Sequence, residues 1–319
     1  MRVVVTGAGG YIGRGLVAGL VAQSRAGGAG EALDGLLTDQ ATADIHSALP
    51  SLPGDIADPS LQERLFSTPV DLVFHLAGVV SGAAENDFAL GKRVNLDATV
   101  ALLERCRLQA ERSGRVARLV YTSSIAVFGT PLPMRIDDDT APAPTLSYGA
   151  HKRACEILID DYTRRGFVDG RAIRLSGVVV RPPLANGALS AFNSDLIREP
   201  LAGRGYVCPV SRDATVWLTS YRRTIANLLR LAEVDAAALG AARAVTAPAL
   251  AVSVGDIVDA MGRVDAAAPC RVAFEPQPAL EAQFGRWPLD AAFDRALALG
   301  LAADASLDAL IRCHLEAAR

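Results

Sequence analysis

The chain has 319 residues, and its 32 lysines and arginines stand against 35 aspartates and glutamates, for a formal charge of −3. A balanced charge without a basic block argues against a nucleic-acid partner bound mainly through phosphates. Half of the residues are apolar, which supplies a sizeable core and excludes an intrinsically disordered chain. The length allows two domains, or one large domain with a smaller lobe.

Only two of the cationic residues, Lys92 and Lys152, are lysines; the rest are arginines. The five cysteines are scattered without metal-binding spacing, so we expect neither a metal site nor a disulfide framework. No apolar run approaches the roughly 18 residues of a membrane span, and no cleavable leader pattern precedes the first strand. We therefore expect a cytoplasmic protein without a membrane or nucleic-acid partner.

The first 180 residues alternate short β-branched runs with longer helical patterns, which is typical of βαβ units. Strands are predicted at 3–6, 36–39, 72–76, 119–123 and 172–175, and helices at 13–21, 59–66, 87–112 and 148–165. Parallel neighbours need long crossovers, and these helices supply them. We predict an α/β fold with a doubly wound parallel sheet (Rossmann fold) over residues 1–180.

After residue 180 the pattern changes to loops, short strands and short helices, with prolines interrupting the chain. A helix is predicted at 221–231, and two later helices begin at the caps Ser253 and Ser306. No low-complexity linker separates the two parts. Residues 181–319 are therefore predicted to form mainly a smaller lobe packed on the sheet, and a return of some segments to the sheet stays open.

A glycine-rich turn, Gly7-Ala8-Gly9-Gly10-Tyr11-Ile12-Gly13, follows the first strand and opens a helix. Glycine at these places permits positive φ, lets the backbone approach a pyrophosphate and allows close packing of helix on strand. The helix N-terminus adds N–H donors toward the anion. An ordinary tight turn is the alternative, but the strand before and the helix after favour a dinucleotide site formed by Gly7, Gly10, Tyr11, Ile12 and Gly13.

Asp39 ends the second predicted strand, where a carboxylate can accept hydrogen bonds from both ribose hydroxyls of an adenosine and would repel a 2′-phosphate. This position favours NAD over NADP as the cofactor. The alternative is an aspartate that merely ends a strand. Asp55 and Ile56 follow a further short apolar stretch and are candidates for contact with the adenine, although alone they are typical of a turn.

Tyr148 and Lys152 place a phenol and an ammonium group one helical turn apart on the same face. A tyrosine that acts as a base near neutrality needs its pKa lowered by about 3 from its usual value, which corresponds to roughly 4 kcal/mol. A neighbouring cation can do this, and the compact charge of lysine can also reach a ribose hydroxyl. With six tyrosines and two lysines, chance would produce this spacing in about 4% of chains. A solvated surface pair is therefore disfavoured.

Thr122, Ser123 and Ser124 end the fourth predicted strand and bring hydroxyl groups to the crevice where doubly wound sheets bind ligands. One of the serines can donate a hydrogen bond to a substrate oxygen beside the tyrosine. We assign this role to Ser124, with Ser123 as the alternative. Serines at strand ends are also common turn formers, so the assignment depends on the tyrosine and lysine pair.

The glycine turn, Asp39, the Thr122-Ser123-Ser124 triplet and the Tyr148-x-x-x-Lys152 pair together resemble the extended short-chain dehydrogenase/reductase superfamily of NAD-dependent epimerases and dehydratases. The similarity runs along the whole chain. Several stretches resemble the D-erythronate dehydrogenase family more than the sugar-nucleotide epimerases, namely 54–59, 75–85, 93–97, 161–162, 165–171 and 197–201.

The resemblance implies a role for each matching residue. Tyr148 would be the base, Lys152 its activator and a ribose ligand, and Ser124 the donor that orients the substrate. Further cofactor contacts would come from Leu76, Ala77, Gly78, Asn95, Gly177 and Val178, and substrate contacts from Ser81, Ser123, Ser176, Asn186 and Ser190. The chain departs from the family pattern at Ser176-Gly177, Pro183 and Tyr221, where we would expect Pro-Thr, Gly and Pro.

An acid substrate also needs a cationic partner. Arg222, at the start of the helix predicted at 221–231, is our candidate, although a surface salt bridge is the commoner fate of such an arginine.

The sequence thus predicts an NAD-dependent dehydrogenase that oxidises a secondary alcohol of a small polyhydroxy acid, D-erythronate-like, at C2, with the substrate bound mainly by residues 181–319. A nucleotide-sugar epimerase or dehydratase that retains its NAD is the alternative. A binding protein that senses NAD without turnover is disfavoured, because mere binding needs no base. The resemblance also implies a homodimer that associates through the helices at 87–112 and 148–165.

Overall fold

The computed structural model describes residues 1–26, 33–40, 49–183 and 190–317. Its strands, in chain order, are β1 (Arg2–Thr6), β2 (Asp34–Thr38), β3 (Leu72–His75), β4 (Ala117–Ser124), β5 (Arg135–Ile136), β6 (Val168–Leu175), β7 (Gly177–Val179), β8 (Tyr206–Cys208), β9 (Thr215–Ser220), β10 (Ala244–Thr246), β11 (Leu250–Ser253), β12 (Val272–Phe274) and β13 (Asp290–Ala291). Its α-helices are α1 (Tyr11–Ala26), α2 (Pro59–Leu65), α3 (Ser81–Asn86), α4 (Phe88–Gly91), α5 (Ala98–Ser113), α6 (Ser147–Arg164), α7 (Phe192–Leu201), α8 (Tyr221–Glu233), α9 (Ala236–Leu239), α10 (Val254–Val264), α11 (Pro278–Phe284), α12 (Asp294–Ala298) and α13 (Leu307–Ala317).

The central sheet has six parallel strands in the order β2-β1-β3-β4-β6-β10. The chain leaves β1 toward β2 on one side and returns to β3 on the other, so the strand order reverses between β1 and β3. In doubly wound sheets the ligand crevice lies at the carboxyl ends of the strands beside this reversal. The predicted fold class is confirmed. The last strand of the sheet, β10, comes from the C-terminal part of the chain, and the domain boundary at residue 180 stays a prediction.

Alternate residues of the strands enter two separate cores, because successive side chains of a strand point to opposite faces. Val3, Val5 and Val120 pack with α1 and α8 on one face. Val4, Leu119 and the helices α2, α5 and α6 form the core on the other face. Both faces of the sheet are therefore covered, which explains why the strands read as almost continuous apolar runs.

The helix predicted at 87–112 is divided by a π-helical turn at Lys92–Asp97, between α4 and α5. The carbonyl oxygen of Asn95 in this turn accepts hydrogen bonds from Thr99 Oγ1 at 3.0 Å and from Cys155 Sγ at 3.3 Å. The side-chain amide of Asn95 bonds both the backbone N–H and the carbonyl of Val79, at 2.8 and 2.9 Å. The turn thus fastens the helix to the loop that follows β3.

The C-terminal lobe is built on a small sheet in which β9 pairs with β7 in parallel and with β11 in antiparallel. The helices α7, α10 and α13 enclose its core. Ser253 caps α10 in a capping box with Asp256, and Ser306 Oγ accepts a hydrogen bond from Ala309 N at 3.1 Å, as their positions predict. Within the described ranges, no helix is both long and apolar enough to cross a membrane.

Candidate active site

A cavity of about 440 Å³ opens at the carboxyl ends of β1, β3, β4 and β6. The C-terminal lobe contributes to its walls through α7, α11 and the two tryptophans Trp217 and Trp287. The cavity brings together most of the residues that the sequence predicts for the site, namely Gly7, Gly10, Tyr11, Ile12, Gly13, Leu76, Gly78, Ser81, Ser123, Ser124, Tyr148, Lys152, Ser176, Gly177, Val178 and Ser190. The predicted residue Asn186 lies outside the described residues.

The glycine turn fits a bound pyrophosphate. Gly7 has a φ of 71°, and a Cβ on it would lie 2.6 Å from the backbone nitrogen of Ala77. A Cβ on Gly13 would lie 2.1 Å from the carbonyl oxygen of Gly7, so the helix can approach the strand only without a side chain there. Gly10 is exposed at the cavity, beside the first N–H groups of α1, which have no partner within their helix. Backbone and helix N-terminus thus form a cradle for an anion.

Asp39 fastens the glycine turn to the end of β2. Its Oδ2 accepts a hydrogen bond from Gly9 N at 3.0 Å, and its Oδ1 accepts one from Gln40 N at 2.7 Å. Asp55 pairs with Arg93 at 2.6 Å. Burial acts to raise the pKa of Asp55, but the hydrogen bonds from Arg93 and from the following backbone outweigh it and lower the pKa.

Of the described residues, those that line the cavity do not include Asp39, Asp55 or the buried Ile56. The contacts predicted for these three residues with the adenosine half of the cofactor stay predictions.

The loop after β3 forms a second wall, to which Leu76, Gly78 and Ser81 contribute. Asn95 is 1% exposed and lies behind this wall, where its amide holds Val79 rather than facing the cavity. A Cβ on Gly78 would lie 3.0 Å from Asn95 Oδ1, so glycine allows this close approach. Asn95 therefore supports the wall from behind. The backbone N–H of Ala77, in the same loop, donates a hydrogen bond to Thr6 Oγ1 at 3.3 Å.

Lys152 is 3% exposed, and its Nζ donates a hydrogen bond to the carbonyl oxygen of Thr122 at 2.8 Å. Nζ lies 5.7 Å from the ring centroid of Tyr148 and 4.6 Å from that of Tyr121. Burial lowers the pKa of Lys152 to about 8. The predicted pair is thus assembled at the cavity, with the ammonium group enclosed between two aromatic rings.

The pKa of Tyr148 is raised by burial, whereas a hydrogen bond with Ser124 and the positive charge of Arg181 act in the opposite direction. The sequence did not predict a role for Arg181. That the charge of Lys152 lowers the pKa of Tyr148 stays a prediction, and burial lowers the pKa of Lys152 itself.

The structure separates the two serines that end β4. Ser123 Oγ donates a hydrogen bond to the fully buried Glu156 at 2.7 Å, and Glu156 forms a two-fold ion pair with Arg174 at 2.9 Å. Ser124 instead hydrogen-bonds Tyr148 and accepts from Ala126 N at 3.2 Å. Its hydroxyl is therefore the one placed to act together with the phenol, while Ser123 is committed to Glu156.

Arg222, predicted to bind a substrate carboxylate, lies away from the cavity. Its side chain is 69% exposed and pairs with Glu316 at 3.4 Å, because the first turn of α8 carries it outward. Arg181, after β7, lines the cavity instead. Its Nε donates to Val178 O at 3.0 Å, and no carboxylate of the described residues forms an ion pair with its guanidinium group.

Several further cavity residues have no counterpart in the sequence prediction. Among them are Asn193 on α7, Gln283 on α11 and Trp287. Nothing in their local sequence points to the site, because they come from the lobe and depend on how it packs against the sheet. Among the described residues, no group of three or more histidine, cysteine, aspartate or glutamate side chains could hold a metal ion.

Comparison with known proteins identifies the family of this chain. Residues 3–215 match the family described as "NAD dependent epimerase/dehydratase family". The chain belongs to the NAD-dependent epimerase/dehydratase family. This finding confirms the resemblance to the extended short-chain dehydrogenase/reductases, the prediction of an enzyme and the choice of NAD as cofactor, for which the glycine cradle provides a fitting site.

Within this family, two relatives are D-erythronate dehydrogenases. The one from Cupriavidus necator is 46% identical over 264 residues, covering 82% of this chain and 80% of that protein. The one from Haemophilus influenzae is 33% identical over 327 residues, covering 99% of both. Among solved structures, the nucleoside-diphosphate-sugar epimerase from Agrobacterium tumefaciens has a TM-score of 0.90 at 36% identity, covering 99% of this chain and 94% of that chain.

Proposed function

We propose that this family member is an NAD-dependent dehydrogenase that oxidises a secondary alcohol of a small polyhydroxy acid, D-erythronate-like, at C2. Two relatives that align with at least four-fifths of this chain are named D-erythronate dehydrogenase. The observation that carries the proposal is Arg181, which brings a guanidinium group into the same cavity as Tyr148. None of the carboxylates in the described part of the chain pairs with this guanidinium group, so it suits a carboxylate ligand, which it can bind through two parallel hydrogen bonds.

The proposed reaction assigns one task to each residue. Arg181 holds the substrate carboxylate, and Ser124 donates a hydrogen bond to the oxygen of the hydroxyl that is oxidised. Tyr148 removes the proton of that hydroxyl as a general base. NAD supplies the acceptor for the hydride that leaves the same carbon. The charges of Arg181 and Lys152 favour the ionised phenol.

The proposal is tested by following NADH formation with a panel of aldonic and 2-hydroxy acids. Erythronate and related sugar acids should give a signal, and Tyr148→Phe should abolish turnover while leaving the affinity for NAD nearly unchanged. Arg181→Leu should raise the KM for the acid more than it lowers kcat, because the carboxylate contact is made before and during the reaction. A Tyr148→Phe variant with near-normal rate would show that the base is another group.

A nucleotide-sugar epimerase is the second candidate. The similarity of this chain to the solved nucleoside-diphosphate-sugar epimerase, with a TM-score of 0.90, favours it. Such an enzyme would convert a nucleotide sugar without net formation of NADH. Activity of that kind, together with no signal from any acid in the panel, would replace the dehydrogenase proposal. The cation in the cavity argues for the acid, since the charge of Arg181 acts on Tyr148.

The enzyme is further proposed to act as a homodimer through its α5 and α6 helices. An open groove on these helices is lined by Lys92, Leu96, Asp97, Val100, Ala101, Ala154, Ile157 and Leu158. Ile157 is 53% exposed there, and Lys92 pairs with Asp97 at 2.7 Å. Light scattering should give the mass of two chains, and Ile157→Glu should give that of one. A wild-type protein that is monomeric at micromolar concentration would refute the dimer.

A further inference from the structure

Asn193, in the first turn of α7, is a buried amide at the wall of the cavity. The residue is 5% exposed, yet it contributes to the cavity lining. Its Oδ1 has no hydrogen-bond partner within the part of the chain that the structure describes. Buried polar atoms are paired in the large majority of cases, so an unpaired amide oxygen on a residue that lines a ligand cavity indicates that a ligand supplies the partner.

Most other polar side chains at this end of the cavity are already paired. Ser176 Oγ lies 2.7 Å from Thr219 Oγ1, Ser123 is bonded to Glu156, and Lys152 is bonded to the carbonyl of Thr122. Asn193 thus differs from these three residues, because its Oδ1 keeps its capacity to accept a hydrogen bond within the described part of the chain. An amide offers both a donor and an acceptor, and a hydroxyl group is complementary to both.

The backbone opposite Asn193 makes room for the amide. A Cβ on Gly177 would lie 3.2 Å from Asn193 Nδ2 and 2.9 Å from the carbonyl oxygen of Trp217. Any side chain at position 177 would therefore press on both groups. Glycine at this position lets the amide stand close to the β7 backbone while it borders the cavity.

The same helix turn also contacts the proposed carboxylate anchor. Ser194, next to Asn193, accepts a hydrogen bond from the backbone N–H of Arg181 at 3.1 Å. The backbone of Arg181 is therefore joined to the same helix turn that carries the amide. A small acid with its carboxylate on Arg181 would have its remaining carbons within the same end of the cavity.

We propose that Asn193 selects hydroxylated acids, by hydrogen-bonding a substrate hydroxyl on a carbon beyond the one that is oxidised. This inference rests on the proposed oxidation of a sugar acid. It adds a specificity residue on the lobe to the catalytic residues on β4 and α6. An enzyme site that bonds a substrate hydroxyl discriminates strongly against the analogue that lacks it, because its own buried polar group is then left unpaired.

The test compares D-erythronate with 2-hydroxybutanoate, which has the same number of carbons and the same C2 hydroxyl but none beyond it. Rates of NADH formation are measured for the wild type, for Asn193→Leu, which keeps the size without the amide, and for Asn193→Ser, which restores a small polar group. The affinity for NAD is measured by titration of each variant. Thermal unfolding shows whether each variant is folded.

Asn193→Leu should lower kcat/KM for D-erythronate by about 10- to 100-fold and change that for 2-hydroxybutanoate by no more than about 3-fold. Asn193→Ser should recover part of the difference. A parallel loss on both acids, or a weaker affinity for NAD, would overturn the proposal and indicate a contact with the nicotinamide amide or a structural role. If the ratio of kcat/KM for D-erythronate to that for 2-hydroxybutanoate were the same in Asn193→Leu as in the wild type, the proposal would also be overturned. If the wild type oxidises neither acid, the proposed function itself fails, and the specificity role falls with it.

Discussion

Acidification should destabilise the protein through His75, at the end of β3. This residue is 0% exposed, and its ring nitrogens lie 2.7 Å from Thr6 Oγ1 and 3.0 Å from Thr99 Oγ1. Burial, with a smaller effect from the charge of Lys152, lowers the pKa of His75 from 6.5 to about 3. Between these two values the unfolded chain binds a proton that the folded protein does not bind. Stability is therefore lost as the pH falls below 6.5.

The size of the effect follows from the difference between the two pKa values. Each pH unit within the window corresponds to about 1.4 kcal/mol, so His75 alone should remove roughly 3 kcal/mol by about pH 4.5. Over the whole interval from pH 6.5 to about 3, the loss in free energy of unfolding amounts to about 5 kcal/mol, which is comparable to the whole stability of many small domains.

The assay is urea unfolding at several pH values between about 7 and 4.5, for the wild type and for His75→Gln. Glutamine can keep one of the two hydrogen bonds but does not titrate, so the variant should lose much less stability over this range, whatever its stability at pH 7. His151→Gln is the control, because Asp97 and Glu85 partly oppose the lowering of the pKa of His151 by burial. Parallel slopes for the wild type and His75→Gln would refute the reasoning.

Three other predictions concern the site and its support. Activity that depends on the charge of Lys152 should fall as the pH rises through its pKa of about 8. In Lys152→Arg this fall should occur at a higher pH, which a pH–rate profile measures. Glu156→Gln should lower the free energy of unfolding by about 3 kcal/mol, measured by urea unfolding, because it leaves the guanidinium of Arg174 without its charge partner in the interior. Gly13→Ala should weaken NAD binding about tenfold or more in a titration, because the new Cβ would lie 2.1 Å from a turn carbonyl. Gly114→Ala, at a φ of 69° with open space around it, is the matched control and should cost only about 1 kcal/mol of stability without affecting NAD.

The arginine-rich composition is partly explained by tertiary contacts. Asp169 accepts hydrogen bonds from Arg118, Arg171 and Arg243, and Arg171 is 0% exposed. Arg171 and Arg243 also donate to backbone carbonyls, including those of Leu231 and Gly170. A planar guanidinium has enough donors to bond an aspartate and several carbonyls at once, which a lysine cannot do in fixed directions. The composition showed the excess of arginine but not these partners.

The identity of the paired serine shows where local sequence stops being informative. Ser123 and Ser124 are equivalent as neighbours at a strand end, and alternation only places them on opposite faces. Ser123 meets Glu156 because α6 packs on that side of the sheet, and Ser124 is left beside Tyr148. The sequence-based choice of Ser124 depended on the tyrosine and lysine pair, whereas the packing of α6 is what separates the two serines.

By itself, the sequence determined those features in which the chemistry is carried by near neighbours along the chain. The glycine turn between strand and helix and the Tyr148-x-x-x-Lys152 pair are of this kind, because a helix fixes which residues share a face. Tertiary structure alone decided which cation enters the cavity. Arg222 and Arg181 are both arginines near plausible ends of elements, but only the packing of the lobe turns the first to solvent and the second toward the tyrosine. The same packing brings Asn193 to Gly177, a contact between distant positions that no local pattern encodes.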